Sequence, residues 1–201
     1  MPERYSRPEP DRNTIRSINK TILIQPLTDL AIVQRAAQMT THGQPVKAPL
    51  KAWYRTEHSP VRARLFWIEL AAIPSFVSVH LVRHKHGVEH FVQSMRDDRG
   101  GAGDDQVTRN TPVNHGMLIN AQAIITVSRK RLCYAASGKT VAVWRRVRKA
   151  MLDVDPDLAP FMVPECVYRN GLCPEFRECK PGLARVMHAY GRSPAATQPT
   201  K

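Results

Sequence analysis

The sequence predicts an α+β domain. Several segments place apolar residues at helical spacing, and one places them in alternation as a half-buried strand does. The length of 201 residues suits one core, since a chain of about 150 residues already buries roughly 70% of its unfolded surface. The expected layout is a proline- and charge-rich, disordered arm over 1–18, one domain over 19–182 that includes a cysteine-bearing segment at 164–180, and a small, polar, flexible tail over 183–201.

Taken in order, "TDLAIVQRAAQMT" offers Thr28 and Asp29 as caps and then a helical pattern that stops before "THGQP". "RARLFWIELAAI" alternates Leu65, Trp67 and Glu69 against Phe66 and Ile68, which predicts a strand. Pro74 ends it and suits the first turn of a helix over 75–84, with Phe76, Val77, His80, Leu81 and His84 near one face. The aspartate- and glycine-rich run at 97–106 predicts a loop. Met117, Ala121, Ile124 and Ile125 predict a single long helix, Asn114–Leu132. A further helix over 140–154 has Val141, Trp144, Val147 and Met151 on one side and Arg145, Arg146, Arg148 and Lys149 on the other. No internal repeat is visible.

Lysine plus arginine number 30 against 17 carboxylates, a net charge of +13, which favours a polyanionic partner: nucleotide, dinucleotide, nucleic acid or acidic membrane. No apolar run is long enough for a membrane span, and the first residues lack the apolar core of a signal peptide, so a cytoplasmic protein is expected. Reduced thiols or a metal site suit the 4 cysteines better than a disulfide framework.

The stretch "HLVRHKHGVEHFVQSMRDD" gathers four histidines and several cations. His80 and His84, and again His86 and His90, stand four apart, a separation that lets two imidazoles share an ion. Against that, Glu89 does not complete a metalloprotease pattern, and Arg83, Lys85, Arg96 and Arg99 would repel a dication. A nucleic-acid patch is the second reading, short of aromatics at 6% of the chain. The third is a cradle for an anionic ligand.

Three ordered segments between about residues 25 and 152 support the third reading. Arg83-His84-Lys85 is followed by Ser94-x-Arg96; upstream lie His58-Ser59-Pro60 and a strand; downstream lies Asn120-Ala121-Gln122, with Arg131 and a tryptophan helix at Trp144 beyond. This order resembles the flavin-dependent thymidylate synthases (ThyX), with their Arg-His-Arg triplet, Ser-x-Arg, His-x-Thr-Pro and Asn-Ala-Arg segments. The resemblance implies an antiparallel or mixed sheet with flanking helices, and a homotetramer whose sites draw on more than one subunit. It implies FAD as cofactor, with methylenetetrahydrofolate and NADPH as co-substrates. The implied reaction is transfer of a methyl or hydroxymethyl group to C5 of a pyrimidine deoxynucleotide, above all dUMP to dTMP.

By the same resemblance, Arg131 and Ser94 are the catalytic residues. His80, Arg83, Ser94, Arg96, Arg131 and Arg109 would bind the nucleotide, and His58, Ser59, Arg83, His84, Lys85, Asn120 and Gln122 the flavin. Departures from the family pattern are Lys85 for the second arginine of the triplet, Gln122 for an arginine, Asp97 for a tyrosine and an Arg-to-Ser interval longer by one residue; they bear on substrate identity. The alternative from another class is a basic nucleic-acid-binding protein that keeps the fold without the chemistry.

"PECVYRNGLCPEFRECK" lies outside the resemblance, and its C-x6-C-x5-C spacing is not that of a zinc ribbon. No metal is expected. Cys166, Cys173 and Cys179 are weak candidates, with His188 or Cys133 as a fourth zinc ligand or an iron-sulfur cluster as the other option; reduced structural thiols are the favoured reading.

Overall fold

The computed structural model describes residues 22–193 except 102, 178 and 180. The arm expected over 1–18 and the last part of the expected tail lie outside these residues.

Four strands form one antiparallel sheet: β1 (Ile22–Pro26), β2 (Leu65–Pro74), β3 (Val88–Val92) and β4 (Pro112–Asn120), in the order β1-β2-β4-β3. The alternation read in β2 is real, with Phe66, Ile68 and Leu70 on the buried face. An extra residue between Leu70 and Ile73 bulges the strand, Ala72 takes φ +52°, and Asn114 Oδ1 accepts the Ala72 N–H at 3.1 Å. The bulge resets the period, so Ile73 returns to the buried side.

Between β1 and β2 run α1 (Leu30–Thr40) and α2 (Leu50–Thr56). Asp29 caps α1, accepting the Ala31 N–H at 2.6 Å. Thr28 instead joins the helix to β2, donating to the Ala63 carbonyl and accepting the Leu65 N–H, both at 2.9 Å. Then come α3 (Ser75–Leu81), α4 (Ala121–Arg131), α5 (Gly138–Val154), α6 (Glu165–Tyr168) and α7 (Leu183–Ala189). The expected loop at 97–106 contains two short 3-10 turns, Asp97–Arg99 and Asp104–Gln106.

One long helix over 114–132 is not what forms. Val113, His115, Met117 and Ile119 alternate inward as β4, and helix begins only after Asn120, whose side chain accepts the Ala123 N–H at 2.8 Å. Met117 fits both periods, and the imidazole at 115 hides the alternation from a reading that takes buried positions as apolar. The segment expected as a loose tail starts with α7, whose Val186 and Met187 are buried. As expected, α5 buries Val141, Trp144, Val147 and Met151.

The main core lies between the sheet's buried face and the helices, with Trp144 Nε1 donating to Ser128 Oγ at 2.8 Å between α5 and α4. Tyr54 and Arg64 both donate to buried Asp155, fastening the end of α5 to the segment before β2. The other sheet face is only half covered. Trp67 and Phe91 rings meet there at 5.4 Å, Phe91 is 55% exposed, and a side chain at Gly116 would lie 2.9 Å from Trp67.

Candidate active site

Where α3 ends, the chain turns outward through 82–87 and runs back along α4. His84 meets Arg131 at the helix's last turn, and the Gly87 carbonyl accepts the Asn120 N–H at 2.9 Å at its start. Gly87 sits at φ +72°, and a Cβ there would come within 2.4 Å of the Asn120 amide. The Arg83-His84-Lys85 segment is thus stretched along a helix whose Gln122 and Arg131 lie about 14 Å apart at 1.5 Å per residue.

Arg131 is the best-held cation of the group. Its Nε donates to His84 Nε2 at 2.9 Å and its Nη2 to the His80 carbonyl, so Nη1 is the end not spent on these two bonds. Burial, and then Arg83, lower its pKa. His84 is pushed down to about 4, first by burial and then by Arg131, His90 and Lys130. It is therefore neutral at pH 7 and acts as an acceptor that aims the guanidinium. His80 is also lowered, by burial and then by Arg131, Arg83 and Arg109; its Nδ1 meets Thr140 Oγ1 at 2.8 Å and its ring the Phe76 edge at 5.6 Å.

Behind this face runs a string of buried polar groups that the sequence reading missed. His84 O meets His90 Nε2 at 2.8 Å, His90 Nδ1 meets His115 Nε2 at 2.9 Å, and His115 Nδ1 meets Ser78 Oγ at 2.8 Å. A carbonyl only accepts, so His90 Nε2 carries a proton; with one proton per ring, His115 donates to His90 and Ser78 donates to His115. His115 is pushed down to about 4, by burial and then by His90. Strand parity makes the string possible, because His90 pairs with Met117 and His115 with Val92, turning both imidazoles to the buried face.

Exposed Arg83, Lys85, Arg109 and Lys139 surround the cluster. Arg109 is brought in by the Phe76 N–H bond to its carbonyl (3.1 Å), and its guanidinium lies 5.7 Å from the Phe76 ring. Lys139 lies 5.9 Å from the same ring. A second group forms along α4, where Gln122 of its first turn and Arg129 of its last both donate to Glu57, which lies beside exposed His58 and Ser59 in the chain. Arg129 also lies 3.5 Å over the Tyr168 ring. Ser94 and Arg96 stand apart. Arg96 pairs with Asp98 on an exposed loop at 2.6 Å, and among the described residues neither bonds to the Arg131 group.

The cysteine candidates do come together. Buried Cys166 forms a small cluster with Val163, Val167, Val186 and Met187, against which Cys173, Cys179 and Tyr134 pack. Burial raises Cys133, with Glu175, Cys179 and Cys173 adding to the effect, and burial pushes Cys166 up to about 11, with the other three thiols adding. His188, the other candidate for a fourth ligand, is exposed on α7. Arg145 and Arg148 of α5 lie 4.7 and 5.2 Å over Tyr134 and Tyr190, so these aromatics are engaged within the chain.

No protein-family model matches the sequence, and no curated protein matches it. Solved structures match by shape. A UMP/dUMP methylase, PolB from Streptomyces cacaoi, solved with 5-Br dUMP, superposes with a TM-score of 0.51 at 14% identity, covering 70% of this chain and 94% of that one. Thymidylate synthase X (ThyX) from Helicobacter pylori, solved with FAD and dUMP, gives 0.48 at 11% identity over 63% and 92% of the two chains. The chain therefore has the α+β fold of the methylase, as the motif order implied. Among the described residues no helix is long and apolar enough to cross a membrane.

Proposed function

We propose that the protein is a flavin-dependent one-carbon transferase acting at C5 of a pyrimidine deoxynucleotide, with dUMP to dTMP as the leading reaction. The observation that carries the reading is Arg131, a half-buried guanidinium clamped by His84 and the His80 carbonyl on the fold of a UMP/dUMP methylase. A fixed cation of this kind, set against a pyrimidine carbonyl, stabilises the negative charge that develops on the ring as C5 becomes nucleophilic. Because two of its donors are already held, little reorganisation is needed when the charge appears.

The residues fit an anionic dinucleotide through charge. Arg83 and Lys85 are exposed on the segment along α4, and the nucleotide's phosphate has Arg109 and Lys139 within the same patch. Lys85 offers a point charge where an arginine offers a planar fork, which favours phosphate over ring recognition at that position. Reduced FAD would supply the hydride that completes the methyl group, with methylenetetrahydrofolate as carbon donor and NADPH as reductant. The neutral His84 ring and the His80 carbonyl orient Arg131.

Asn120 and Gln122 already cap α4 and bind Glu57, so their part in flavin binding is through the shape of the helix start, with His58 and Ser59 the exposed groups beside it. Ser94 and Arg96 would serve a site shared with a second subunit. The half-covered sheet face at Trp67 and Phe91 supports self-association, and a homotetramer is the assembly proposed.

Titrating the purified protein with FAD by fluorescence quenching, then following dUMP-dependent oxidation of the reduced flavin, tests the reading. Binding together with nucleotide-dependent oxidation supports it. No binding up to about millimolar flavin, only about 4 kcal/mol, overturns it.

A further inference from the structure

We propose that Cys133, Cys166, Cys173 and Cys179 are the ligands of a structural tetrathiolate zinc site that clasps the C-terminal segment to the end of α4. The site is independent of the flavin reading.

These are all 4 cysteines of the chain, and the fold brings them to one place from irregular separations. Cys133 directly follows the last turn of α4, Cys166 lies in α6 packed against it, and Cys173 and Cys179 lie on the connection to α7. The two ends of the group are fixed by packing: Tyr134 beside Cys133 lies against the same cluster that buries Cys166. Cys133 and Cys166 are each within electrostatic reach of the other three thiols.

Backbone geometry around the sulfurs is of the kind that supports metal thiolates. The Ala135 backbone acts on the Cys133 thiol, lowering it against burial, while the Val167 N–H beside Cys166 donates to the Pro164 carbonyl at 3.0 Å. The chain also turns back after the cysteines, with the Cys133, Cys166 and Cys179 carbonyls accepting the N–H of Ala136 (3.0 Å), Gly171 (2.8 Å) and Gly182 (2.9 Å). Amides bonded to sulfur offset the charge of coordinated thiolates and fix their orientation. Arg145 and Arg148, stacked on Tyr134 and Tyr190, add two cations beside a site that would carry a net charge of about −2 with four thiolates on a dication.

Little regular structure holds the segment itself. Among the described residues of 169–182 there is no helix or strand, Leu172 is 72% exposed and Phe176 fully so. A long connection with its apolar residues outside the core is commonly secured by a crosslink or a metal. Four sulfurs and no oxygen ligand select a soft or borderline ion with tetrahedral preference, which points to zinc and away from magnesium or calcium. Among the described residues no group of three or more His, Cys, Asp or Glu is already closed to metal-holding geometry. Loading therefore requires Cys173 and Cys179 to be drawn inward, a movement that an irregular segment permits without disturbing α4 or α6.

Elemental analysis of the full chain, purified under reducing conditions without chelator, should find zinc at one ion per chain. Substitution with cobalt should give the thiolate charge-transfer and tetrahedral ligand-field bands of an all-sulfur site. Cys173→Ser and Cys179→Ser, at half-exposed positions, should each abolish stoichiometric binding while the far-ultraviolet spectrum and Trp144 fluorescence stay those of the folded core. Folded, metal-free protein with four thiols reactive to a disulfide reagent, before and after incubation with zinc, overturns the proposal. So does iron with acid-labile sulfide, which would assign the same thiolates to a cluster, or disulfide pairing found by mass spectrometry under native conditions.

Discussion

Two groups of potential metal ligands lie in this molecule, and they differ in how their lone pairs are used. In the histidine group both nitrogens of His90 and His115 are spent, on the His84 carbonyl, on each other and on Ser78, and one nitrogen each of His84 and His80 is spent on Arg131 and Thr140. Three of the rings sit on regular elements and His84 on the turn after α3, and the result is a fixed cationic face. In the cysteine group Cys166 is buried in a small apolar cluster, Cys173 and Cys179 pack against it, and these last two sit on a connection without regular structure. The regular spacing of four in the histidines is the weaker sign of a metal site, because neither pair shares a helix: α3 stops at Leu81, short of His84 in the helix expected over 75–84, and His90 lies in β3. The irregular cysteines carry more information, since only the tertiary fold brings them together.

The largest expected effect breaks the histidine side of this comparison. His115→Ala removes a buried ring, leaves Ser78 Oγ and His90 Nδ1 without their partner and opens a cavity; truncations of this kind cost about 3–5 kcal/mol, with orphaned polar groups adding to the cavity term. Urea denaturation should show that loss, and with it weaker flavin binding, because His90 then loses one of the two bonds that hold it against the His84 carbonyl. Cys173→Ser, by contrast, should leave the urea midpoint of the core nearly unchanged.

Acid should separate the two regions next. His84 and His115 both have folded pKa values near 4, below the ordinary value of about 6.5. Between these limits the unfolded chain binds more protons than the native one, so stability rises with pH through that window and is fully present above about 6.5. For His115, which is 1% exposed, the loss on acidification to pH 4 is on the order of 3 kcal/mol; half-exposed His84 adds a smaller part. Urea midpoints measured from pH 4 to 8 check this, and a flat profile would mean that both rings stay neutral in the unfolded chain too or are charged in the folded one.

On the site's own chemistry, Arg131→Ala should lower nucleotide-dependent flavin oxidation about a hundredfold or more, the scale of losing one transition-state donor. Flavin affinity should change little. Arg131→Lys should restore little of it, since an ammonium cannot bond His84 and the His80 carbonyl while presenting a third edge. Arg146→Ala, on the exposed face of α5, should match the wild type.

How far these regions were legible follows from the same contrast. The capped helix after Asp29, the strand through Phe66, Ile68 and Leu70 and the helix through Trp144 were readable because packing and local period agree in each. Arg131, His84 and His80 were readable as a group through motif order, and Arg109 is joined to them by the Phe76 ring that it shares with His80. His115 was not readable: an inward imidazole in β4 looks polar, and β4 passes into α4 without a glycine or proline to mark the change. Ser78, Thr140 and Glu57 carry no local sign of their roles, which exist only where separate elements meet. Ser94 and Arg96 were assigned to the same pocket, yet one chain does not bring them to it.

The smallest effect sharpens what the start of α4 does. Asn120 has two candidate duties, capping the helix through its 2.8 Å bond to the Ala123 N–H and touching flavin as the resemblance implies. Asn120→Ala removes the cap at a cost of about 1 kcal/mol, and any loss of flavin binding would mix the two duties. Asn120→Asp separates them, because an aspartate caps equally well and its charge suits the positive end of the helix. The same carboxylate would repel an anionic dinucleotide. If Asn120→Asp leaves the urea midpoint at the wild-type value but weakens flavin binding about tenfold, roughly 1.4 kcal/mol, the amide faces the ligand. If both quantities stay unchanged, Asn120 is a cap alone, and the flavin contacts of this end fall to exposed His58 and Ser59 beside Glu57.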